Sequence, residues 1–276
     1  MVSGSHSPAR FNGFKLMIGD APITPDDLDA LRLSMESGDF AEGLGSYSRA
    51  DLTRAYEEML LHAFELRTER HVVVDAGNGS NWYLVPRLLE ERHQKVERVF
   101  CTPDGSFPNR DPNPVDAANL ASMRERILAT DAELGVAYDG DGDRLVLVDG
   151  RGRVQPADRC LVLLLRHLLH ESPGAAVVYD LKSSSIVAEE VAAAGGVPVM
   201  ERSGHTFIKS RLLSENAALA GELSAHFFFR ETRGDDALYA TLLMLHVLDT
   251  LGATFAEAID TVPVYPSTPD IRVACS

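Results

Sequence analysis

The sequence has few cysteines, and they are not paired in the way that disulfide or metal frameworks require. The three cysteines, Cys101, Cys160 and Cys275, lie far apart along the chain. Neither a disulfide-stapled secreted scaffold nor a Cys-x-x-Cys metal site is therefore indicated. This pattern is typical of a reducing compartment, and we expect a cytoplasmic protein.

Long hydrophobic runs and an excess of positive charge are also missing. The apolar stretch 161–165 is ended by Arg166 and is too short to span a bilayer. The chain has 26 lysines and arginines against 41 aspartates and glutamates, a formal net charge of −15. Nucleic-acid surfaces and membrane-binding helices depend on clustered basic residues. We therefore expect a soluble protein with neither nucleic-acid nor membrane partners.

What the sequence does contain is the composition of a packed α/β protein. Of its 276 residues, 45% are hydrophobic and 24% are charged, which allows two or more domains with their own cores. From residue 52 to residue 251, strand-like apolar runs alternate with helical patterns. That order is typical of α/β domains.

An additional helix is predicted ahead of this alternation. Thr24 is a suitable N-cap, and Gly38 is a suitable terminator. Leu28, Leu31 and Met35 recur at helical spacing between them, so we expect these three side chains to form its buried stripe.

The run 137–144, Ala-Tyr-Asp-Gly-Asp-Gly-Asp-Arg, gathers more negative charge than a fold normally places together without a cation. Strand-like sequences flank it, so Asp139, Asp141 and Asp143 come at a strand end, where open α/β sheets bind their ligands. Gly140 and Gly142 allow the backbone to curl until the carboxylates converge. Ligands that are all oxygen suit Mg²⁺ or Mn²⁺, and we predict Mg²⁺.

This aspartate loop has two other interpretations. An EF-hand calcium loop also opens with alternating acids, but it needs glycine at its sixth position and glutamate at its twelfth. Arg144 and Gly150 occupy those positions, which excludes an EF-hand. A solvated Asp/Gly turn between two strands is common for one Asp-Gly pair and explains three closely spaced acids poorly.

The chain opens with a loop of small residues, 2–15, that carries hydroxyls, an imidazole and a lysine. By itself this loop is equally typical of a disordered N-terminus. Together with the aspartate loop, however, its Gly4-Ser5-His6 and Asn12-Gly13-Phe14-Lys15 sequences resemble the phosphoserine loop of the α-D-phosphohexomutase superfamily. In that family Thr-Gly-Ser-His-Asn-Pro is followed by Asn-Gly-Phe-Lys, so the resemblance puts Ser5 at the phosphorylated position.

Further segments resemble the same family and follow its order along the chain. Residues 203–209, Ser-Gly-His-Thr-Phe-Ile-Lys, resemble its Gly-His-Ser-x-Ile-Lys element. Residues 221–228, Gly-Glu-Leu-Ser-Ala-His-Phe-Phe, resemble its sugar-recognition loop, Gly-Glu-Met-Ser-Gly-His-x-Phe-Phe. Residues 235–240, Asp-Asp-Ala-Leu-Tyr-Ala, resemble the Asp-Asp-Gly-x-Tyr-Ala that opens the next helix. The resemblance covers nearly the whole chain.

The resemblance implies mixed-sheet α/β domains of the phosphohexomutase type. Family members have four domains, and this chain would hold part of domain 1 plus domains 2 and 3. We expect a remnant of domain 1 with the phosphoserine loop at 1–48, domain 2 with the metal loop at 49–152, domain 3 with the sugar-recognition loop at 153–262 and the start of domain 4 at 263–276. On this interpretation the chain is a fragment, truncated at both ends.

The resemblance also implies a reaction on hexose phosphates. Phosphorylated Ser5 gives its phosphoryl group to the substrate, the bisphosphorylated sugar turns over in the cleft, and its other phosphate returns to the serine. Hexose 1-phosphate and hexose 6-phosphate are thereby interconverted. Asp139, Asp141, Asp143 and one oxygen of Ser5 would hold the Mg²⁺.

Other side chains would surround these groups. By their place in the motifs, His6, Lys15 and Arg144 are expected beside the transferring group, where they neutralise charge or move a proton. The resemblance assigns five residues to substrate binding: Lys182, His205, Glu222, Ser224 and His226. Each residue also has a plainer interpretation, as a surface ion pair, a strand end, a structural histidine or a solvated lysine.

Four positions depart from the family pattern: Ser3, Ser7, Ala225 and Ala237. Where glycine is replaced by alanine, the added Cβ disfavours a positive φ but removes no ligand. These changes therefore bear on loop geometry before they bear on chemistry.

Several functions stay open at this point. A phosphomannomutase/phosphoglucomutase type leads over a phosphoglucosamine mutase type, because Leu223 is apolar where the latter branch usually has glutamine. A second possibility is a catalytically incompetent fragment that binds metal or sugar phosphate. A third is a phosphatase with an aspartate nucleophile, which would not require the Ser5 loop.

Overall fold

The computed structural model describes residues 1–38 and 40–266. Ahead of the first large sheet, strand β1 (Met17–Ile18) pairs antiparallel with β2 (Ala21–Pro22), and helix α1 spans Pro25–Ser37. A capping box between Thr24 and Asp27 starts this helix, and Gly38 ends it with a left-handed φ of 69°. The predicted helix is confirmed at both ends.

The predicted buried stripe of α1 is wrong. Leu28, Leu31 and Met35 are 50%, 43% and 62% exposed, and no residue of the helix is buried. An apolar stripe is buried only where another element packs against it. Among the described residues no element does so, and periodicity within the helix carries no information about a partner.

The first five-stranded sheet has the strand order β4-β3-β5-β6-β7. Its parallel strands are β3 (His71–Asp75), β4 (Lys95–Val99) and β5 (Leu134–Tyr138), and its antiparallel strands are β6 (Leu145–Asp149) and β7 (Val154–Gln155). Its helices are α2 (Thr53–Ala63), α3 (Leu84–Glu91) and α4 (Ala121–Thr130), with short 3₁₀ turns at Ser80–Trp82 and Ala117–Leu120.

The central strands of this sheet explain where its loops lie. In β3 and β5 the side chains of Val72, Val74, Leu134 and Val136 have no solvent exposure, as expected for parallel strands covered on both faces. Because β3 and β5 run parallel, their carboxyl ends meet at one edge of the sheet. The aspartate loop 139–144 leaves from that edge, as the sequence predicts.

The second five-stranded sheet has the order β12-β11-β10-β8-β9. Its parallel strands are β8 (Ala176–Asp180), β9 (Val197–Glu201) and β10 (Leu219–Gly221), and its antiparallel strands are β11 (Phe227–Phe229) and β12 (Gly234–Asp235). Its helices are α5 (Ala157–Glu171), α6 (Ile186–Ala193), α7 (His205–Ser214), α8 (Ala237–Leu251) and α9 (Phe255–Asp260). The helices and most strands of each sheet lie within 49–152 or 153–262, but β7 of the first sheet (Val154–Gln155) lies beyond residue 152. The division into domains at those bounds stays a prediction.

The two sheet units share one hydrophobic core cluster. Two polar contacts also connect them. The hydroxyls of Tyr138 and Thr241 form a buried hydrogen bond at 2.6 Å, and the Tyr56 hydroxyl donates to the Asp236 carboxylate at 2.8 Å. The backbone amide of Leu145 donates to the Ala225 carbonyl at 2.9 Å. These contacts hold the aspartate loop against the loop 221–226.

Helix α9 was not predicted, although the capping box of Thr254 and Glu257 is a signal for it. Residues 267–276, which include Cys275 and most of the expected start of domain 4, lie outside the described residues. Among the helices that are described, none is both long and apolar enough to cross a membrane.

Candidate active site

Three aspartates of the loop between β5 and β6 converge. Asp139, Asp141 and Asp143 each offer an oxygen within 4.8 Å of the others. Asp139 Oδ1 accepts the backbone amides of Gly142, Asp143 and Arg144 at 3.0, 3.1 and 3.2 Å, and this tight turn uses a left-handed φ of 79° at Gly142. Its other oxygen, Oδ2, is left to face the N-terminal loop.

One oxygen of this loop, Asp141 Oδ1, is buried without a hydrogen-bond donor in the part of the chain that the structure describes. Asp143 Oδ1 is buried as well and faces His226 Nε2 at 3.4 Å. Burying an unsatisfied carboxylate oxygen is costly, so such atoms call for a ligand. The donor set is entirely oxygen and therefore fits a hard divalent cation such as Mg²⁺.

The N-terminal loop meets the aspartate loop through two serines. Ser5 Oγ donates to Asp139 Oδ2 at 2.9 Å, and Ser3 Oγ donates to Asp141 Oδ2 at 2.7 Å. Ser3 Oγ also accepts the Ser5 amide at 2.8 Å, and Ser5 has a left-handed φ of 50°. This backbone conformation directs the Ser5 hydroxyl towards the carboxylates.

Gly140 allows the two loops to approach so closely. A Cβ added there would lie 2.4 Å from the Ser5 carbonyl oxygen and 3.2 Å from the Phe107 ring. Real Cβ atoms do not come that near to backbone oxygen. A side chain at position 140 is therefore incompatible with the observed position of Ser5.

Three basic side chains lie beside Ser5 and the aspartates. Lys15 Nζ forms ion pairs with Asp141 Oδ2 at 2.8 Å and with Asp143 Oδ2. His6 Nδ1 lies 3.3 Å from Ser5 Oγ, and Arg144 Nε lies 3.8 Å from Asp139 Oδ2. The positive charge is local, because the chain as a whole is acidic.

The pKa values of the aspartates differ widely. Burial raises the pKa of Asp139 to about 7, and the charges of Asp143 and Asp141 add to this effect. Burial also acts to raise the pKa of Asp143, but His226 and Lys15 outweigh it and hold that pKa well below its ordinary value. In the metal-free protein Asp143 is therefore ionised, while Asp139 is about half protonated at pH 7.

His226 contacts residues of the loop 221–226 and of the aspartate loop. Its Nε2 lies 3.4 Å from Asp143 Oδ1, and its Nδ1 lies 3.2 Å from Glu222 Oε2 and 3.0 Å from Ser224 Oγ. Burial alone would lower the pKa of His226, but hydrogen bonds with Asp143 and Glu222 raise it to about 9. The ring is therefore an imidazolium at neutral pH.

The remaining predicted residues lie around this histidine or beside it. His205 Nε2 bonds Asp235 Oδ1 at 2.9 Å, and the rings of His205 and His226 meet edge to face with centroids 5.8 Å apart. Lys182 is not part of the cluster around Ser5. It lines a separate cavity of about 530 Å³ together with Leu223 of the loop 221–226.

Sequence reasoning missed two contributors to this site. Ser3, interpreted only as a departure from a threonine, bonds both Asp141 and the Ser5 amide. Asp235 orients the His205 ring through a hydrogen bond. The two consecutive aspartates at 235–236 are the sequence signal that could have identified it. Ala225 has a φ of 73°, so the alanine adopts the conformation that its glycine equivalent would favour.

Two family models match this chain. Residues 54–152 match the family model described as "Phosphoglucomutase/phosphomannomutase, alpha/beta/alpha domain II", and residues 156–265 match that of domain III. A "Phosphoglucomutase" of Neisseria gonorrhoeae is 35% identical over 278 residues, covering 99% of this chain and 60% of that protein. A "Phosphomannomutase/phosphoglucomutase" of Pseudomonas aeruginosa is 34% identical, covering 99% of this chain and 59% of that protein.

A solved structure shows the same fold. A phosphoglucomutase/phosphomannomutase family protein from Burkholderia thailandensis superposes with a TM-score of 0.93 at 37% identity, covering 97% of this chain and 59% of that one. The predicted mixed-sheet α/β fold of the phosphohexomutase type is confirmed. The chain spans about 60% of the length of the relatives that it matches. On its two matched domains, its relatives and its fold, the chain belongs to the phosphoglucomutase/phosphomannomutase family of the α-D-phosphohexomutase superfamily.

Proposed function

We propose that this chain carries the phosphoryl-transfer centre of a phosphohexomutase that interconverts hexose 1-phosphate and hexose 6-phosphate. The observation that carries the proposal is the 2.9 Å hydrogen bond from Ser5 Oγ to Asp139 Oδ2, inside a cluster of three carboxylates and three basic side chains. Phosphoryl transfer depends on positioning and charge neutralisation more than on covalent assistance. This cluster offers both.

Ser5 is proposed as the phosphoryl carrier. Its oxygen gives the phosphoryl group to a hydroxyl of the sugar phosphate, and the bisphosphorylated sugar returns its other phosphate to Ser5 after turning over. Lys15 and Arg144 neutralise the phosphoryl oxygens, with Arg144 able to meet them as a planar fork.

Proton transfer is proposed for two histidines, His6 beside Ser5 Oγ and His226 beside Asp143. Burial and the nearby Arg144 charge lower the pKa of His6, so its neutral ring can accept a proton beside Ser5 Oγ. His226 carries a proton at neutral pH and can donate it. Groups whose environments push their pKa values apart in this way suit an acid and base pair.

Asp139, Asp141, Asp143 and an oxygen of phosphorylated Ser5 are proposed to hold Mg²⁺. The all-oxygen ligand set and the buried Asp141 Oδ1, which has no hydrogen-bond donor among the described residues, support this assignment. When bound, the ion supplies positive charge against the phosphoryl oxygens.

Hexose recognition is proposed for residues in the loops and on helix α7 of the second sheet unit. Glu222 and Ser224 exchange hydrogen bonds with sugar hydroxyls, while His205, His226 and Lys182 bind the sugar or its distal phosphate. A site built around such hydrogen bonds discriminates strongly between orientations. Mannose and glucose phosphates are the proposed substrates, and the names of the relatives from Neisseria and Pseudomonas support them.

Intact-mass analysis tests the proposal. The chain is incubated with glucose 1,6-bisphosphate and Mg²⁺, and we expect the mass of one phosphoryl group to be added and peptide mapping to locate it on Ser5. Ser5→Ala should abolish the addition and Ser7→Ala should not. A phosphoryl group that appears instead on an aspartate would support a phosphatase and overturn the proposal.

A turnover assay with glucose 1-phosphate or mannose 1-phosphate distinguishes the mutase from a second candidate function. That alternative is binding of metal and sugar phosphate without turnover, which needs none of the transfer chemistry. Retained Mg²⁺ binding with neither phosphorylation nor turnover would favour it.

A further inference from the structure

Arg110 is buried directly behind the aspartate loop and belongs to none of the motifs considered above. It is 7% exposed. Its Nε donates to the Asp75 carboxylate at 3.0 and 3.2 Å, its Nη1 to the Asp111 carbonyl at 2.9 Å and its Nη2 to the Tyr138 carbonyl at 2.7 Å. One planar guanidinium therefore joins three chain segments.

These segments are the ones on which the aspartate loop rests. Asp75 ends β3, and Tyr138 ends β5. The Tyr138 carbonyl belongs to the peptide that leads into Asp139, the carboxylate bonded by Ser5. The third segment, 104–112, places Phe107 against Gly140. Fixing the guanidinium thus fixes the direction in which Asp139 leaves the sheet.

The space around the guanidinium is also closed. Gly77 follows β3 with a φ of 50°, and a Cβ there would lie 2.5 Å from Arg110 Cζ and Nη2. The Gly77 amide donates to Asp75 Oδ1 at 2.8 Å, so the same carboxylate orders both the turn and the arginine. Arg110 cannot move without disturbing this turn.

We propose that Arg110 is a positioning residue for the metal centre, acting through the Tyr138–Asp139 peptide to hold the Asp139 carboxylate where it meets both the cation and Ser5. The inference rests on the proposed function of the aspartate loop. A lysine could supply the charge at this position but not three donors in one plane. Groups that orient a metal ligand affect metal affinity without touching the metal.

A matched control lies at the opposite end of the same strands. Arg70 is 5% exposed and forms ion pairs with Glu133 at 2.8 Å and Asp249 at 3.3 Å. It precedes β3, whereas Arg110 binds the carboxyl end of that strand. Both arginines are buried and paired with acids, so removing either should destabilise the fold. Of the two, Arg110 is the one that donates to the Tyr138 carbonyl, which leads into the aspartate loop.

The test measures Mn²⁺ affinity by titration, with turnover not required. Arg110→Met should weaken Mn²⁺ binding about 10- to 100-fold relative to the unchanged chain, Arg110→Lys should give a smaller loss, and Arg70→Met should bind Mn²⁺ like the unchanged chain. Equal affinity in Arg110→Met and the unchanged chain would overturn the inference. So would an equal loss in Arg70→Met, because the effect would then be one of general destabilisation.

The test remains decisive if a variant does not fold or if the unchanged chain binds no metal. If Arg110→Met does not fold, Gly77→Ala decides, since its Cβ displaces the guanidinium while every polar partner is retained. Its Mn²⁺ affinity should also fall, and an unchanged affinity would contradict the inference. If the unchanged chain itself binds no Mn²⁺, the proposed metal site fails, and with it the premise of this inference.

Discussion

Ser5 and Asp139 are 134 positions apart in the sequence, and the Ser5 hydroxyl donates to the Asp139 carboxylate at 2.9 Å. The hydroxyl proposed to carry the phosphoryl group thus already points at a proposed metal ligand. This hydrogen bond requires the N-terminal loop to pack closely against Gly140. The geometry of that contact leads to the first prediction.

Gly140→Ala should slow phosphorylation of Ser5 by about 100-fold, because a misplacement of about 1 Å at a reacting group has an effect of that size. The added Cβ would lie 2.4 Å from the Ser5 carbonyl oxygen and force the N-terminal loop away. The rate is measured by intact mass after mixing with glucose 1,6-bisphosphate. Gly105→Ala is the control, since a Cβ there meets open space. Equal rates in the two variants would show that the close contact at Gly140 is irrelevant.

Asp139→Asn should stabilise the metal-free protein at pH 8 while abolishing metal binding. The folded-state pKa of Asp139 is raised by burial from its ordinary 3.8 to about 7, so its contribution to stability is lost as pH rises between these values. Asparagine escapes that loss and can still accept the three backbone amides at Oδ1. Urea unfolding in EDTA should show Asp139→Asn more stable by about 1–3 kcal/mol at pH 8. The gain should shrink at pH 5.5, and a less stable variant at pH 8 contradicts the prediction.

His226 should make the stability of the metal-free protein fall between pH 6.5 and pH 9. Although burial opposes it, hydrogen bonding to Asp143 and Glu222 raises the folded-state pKa from 6.5 to about 9. A raised histidine pKa contributes stability that is fully present below pH 6.5 and lost as pH rises through 9. His226→Gln should flatten this part of the urea-unfolding profile. Asp139→Asn should keep it, since Asp139 acts at lower pH, and a slope that persists in His226→Gln would assign the dependence to another group.

Lys15→Met should tighten Mn²⁺ binding about tenfold, because a neighbouring positive charge opposes a cation at the same carboxylates. Lys15 Nζ lies 2.8 Å from Asp141 Oδ2 and also pairs with Asp143. Phosphoryl transfer should nonetheless slow, since the transferring group loses a cation. Metal titration and phosphorylation rates are compared with Arg98→Met, which removes an exposed ion pair with Glu90. Weaker Mn²⁺ binding in Lys15→Met would mean that the lysine organises the carboxylates instead of competing with the ion.

The fold follows from local patterns to a large extent. Apolar runs bounded by turn residues identified strands such as β3, β5 and β6, and a cap with a terminal glycine identified α1. The acid and glycine spacing placed the aspartate loop at a strand end without any knowledge of tertiary contacts. These features were predictable because each depends on neighbours within a few residues.

Features that depend on distant partners were not predictable in this way. The stripe of Leu28, Leu31 and Met35 has helical spacing but no covering element in the described chain, so its exposure could not be deduced from spacing. The contacts of Arg110 could not be deduced from local sequence either, because its partners lie up to 35 residues away along the chain. The roles of the site residues, drawn from the family resemblance, stay predictions until the experiments above are done.

Tyr56→Phe should weaken the attachment of the first sheet unit to the second. The Tyr56 hydroxyl on α2 donates to both oxygens of Asp236, which caps the start of α8 and whose pKa burial already raises. Without this donor the buried carboxylate keeps the Tyr239 amide as a partner, and the loss should cost about 1–3 kcal/mol in the free energy of unfolding. Urea denaturation measures it against Tyr47→Phe, whose ring is 85% exposed. Because Ser5 and the aspartate loop do not contact Tyr56, Ser5 phosphorylation should be unchanged below the unfolding transition. A stability equal to that of Tyr47→Phe would show that water replaces the hydroxyl without cost.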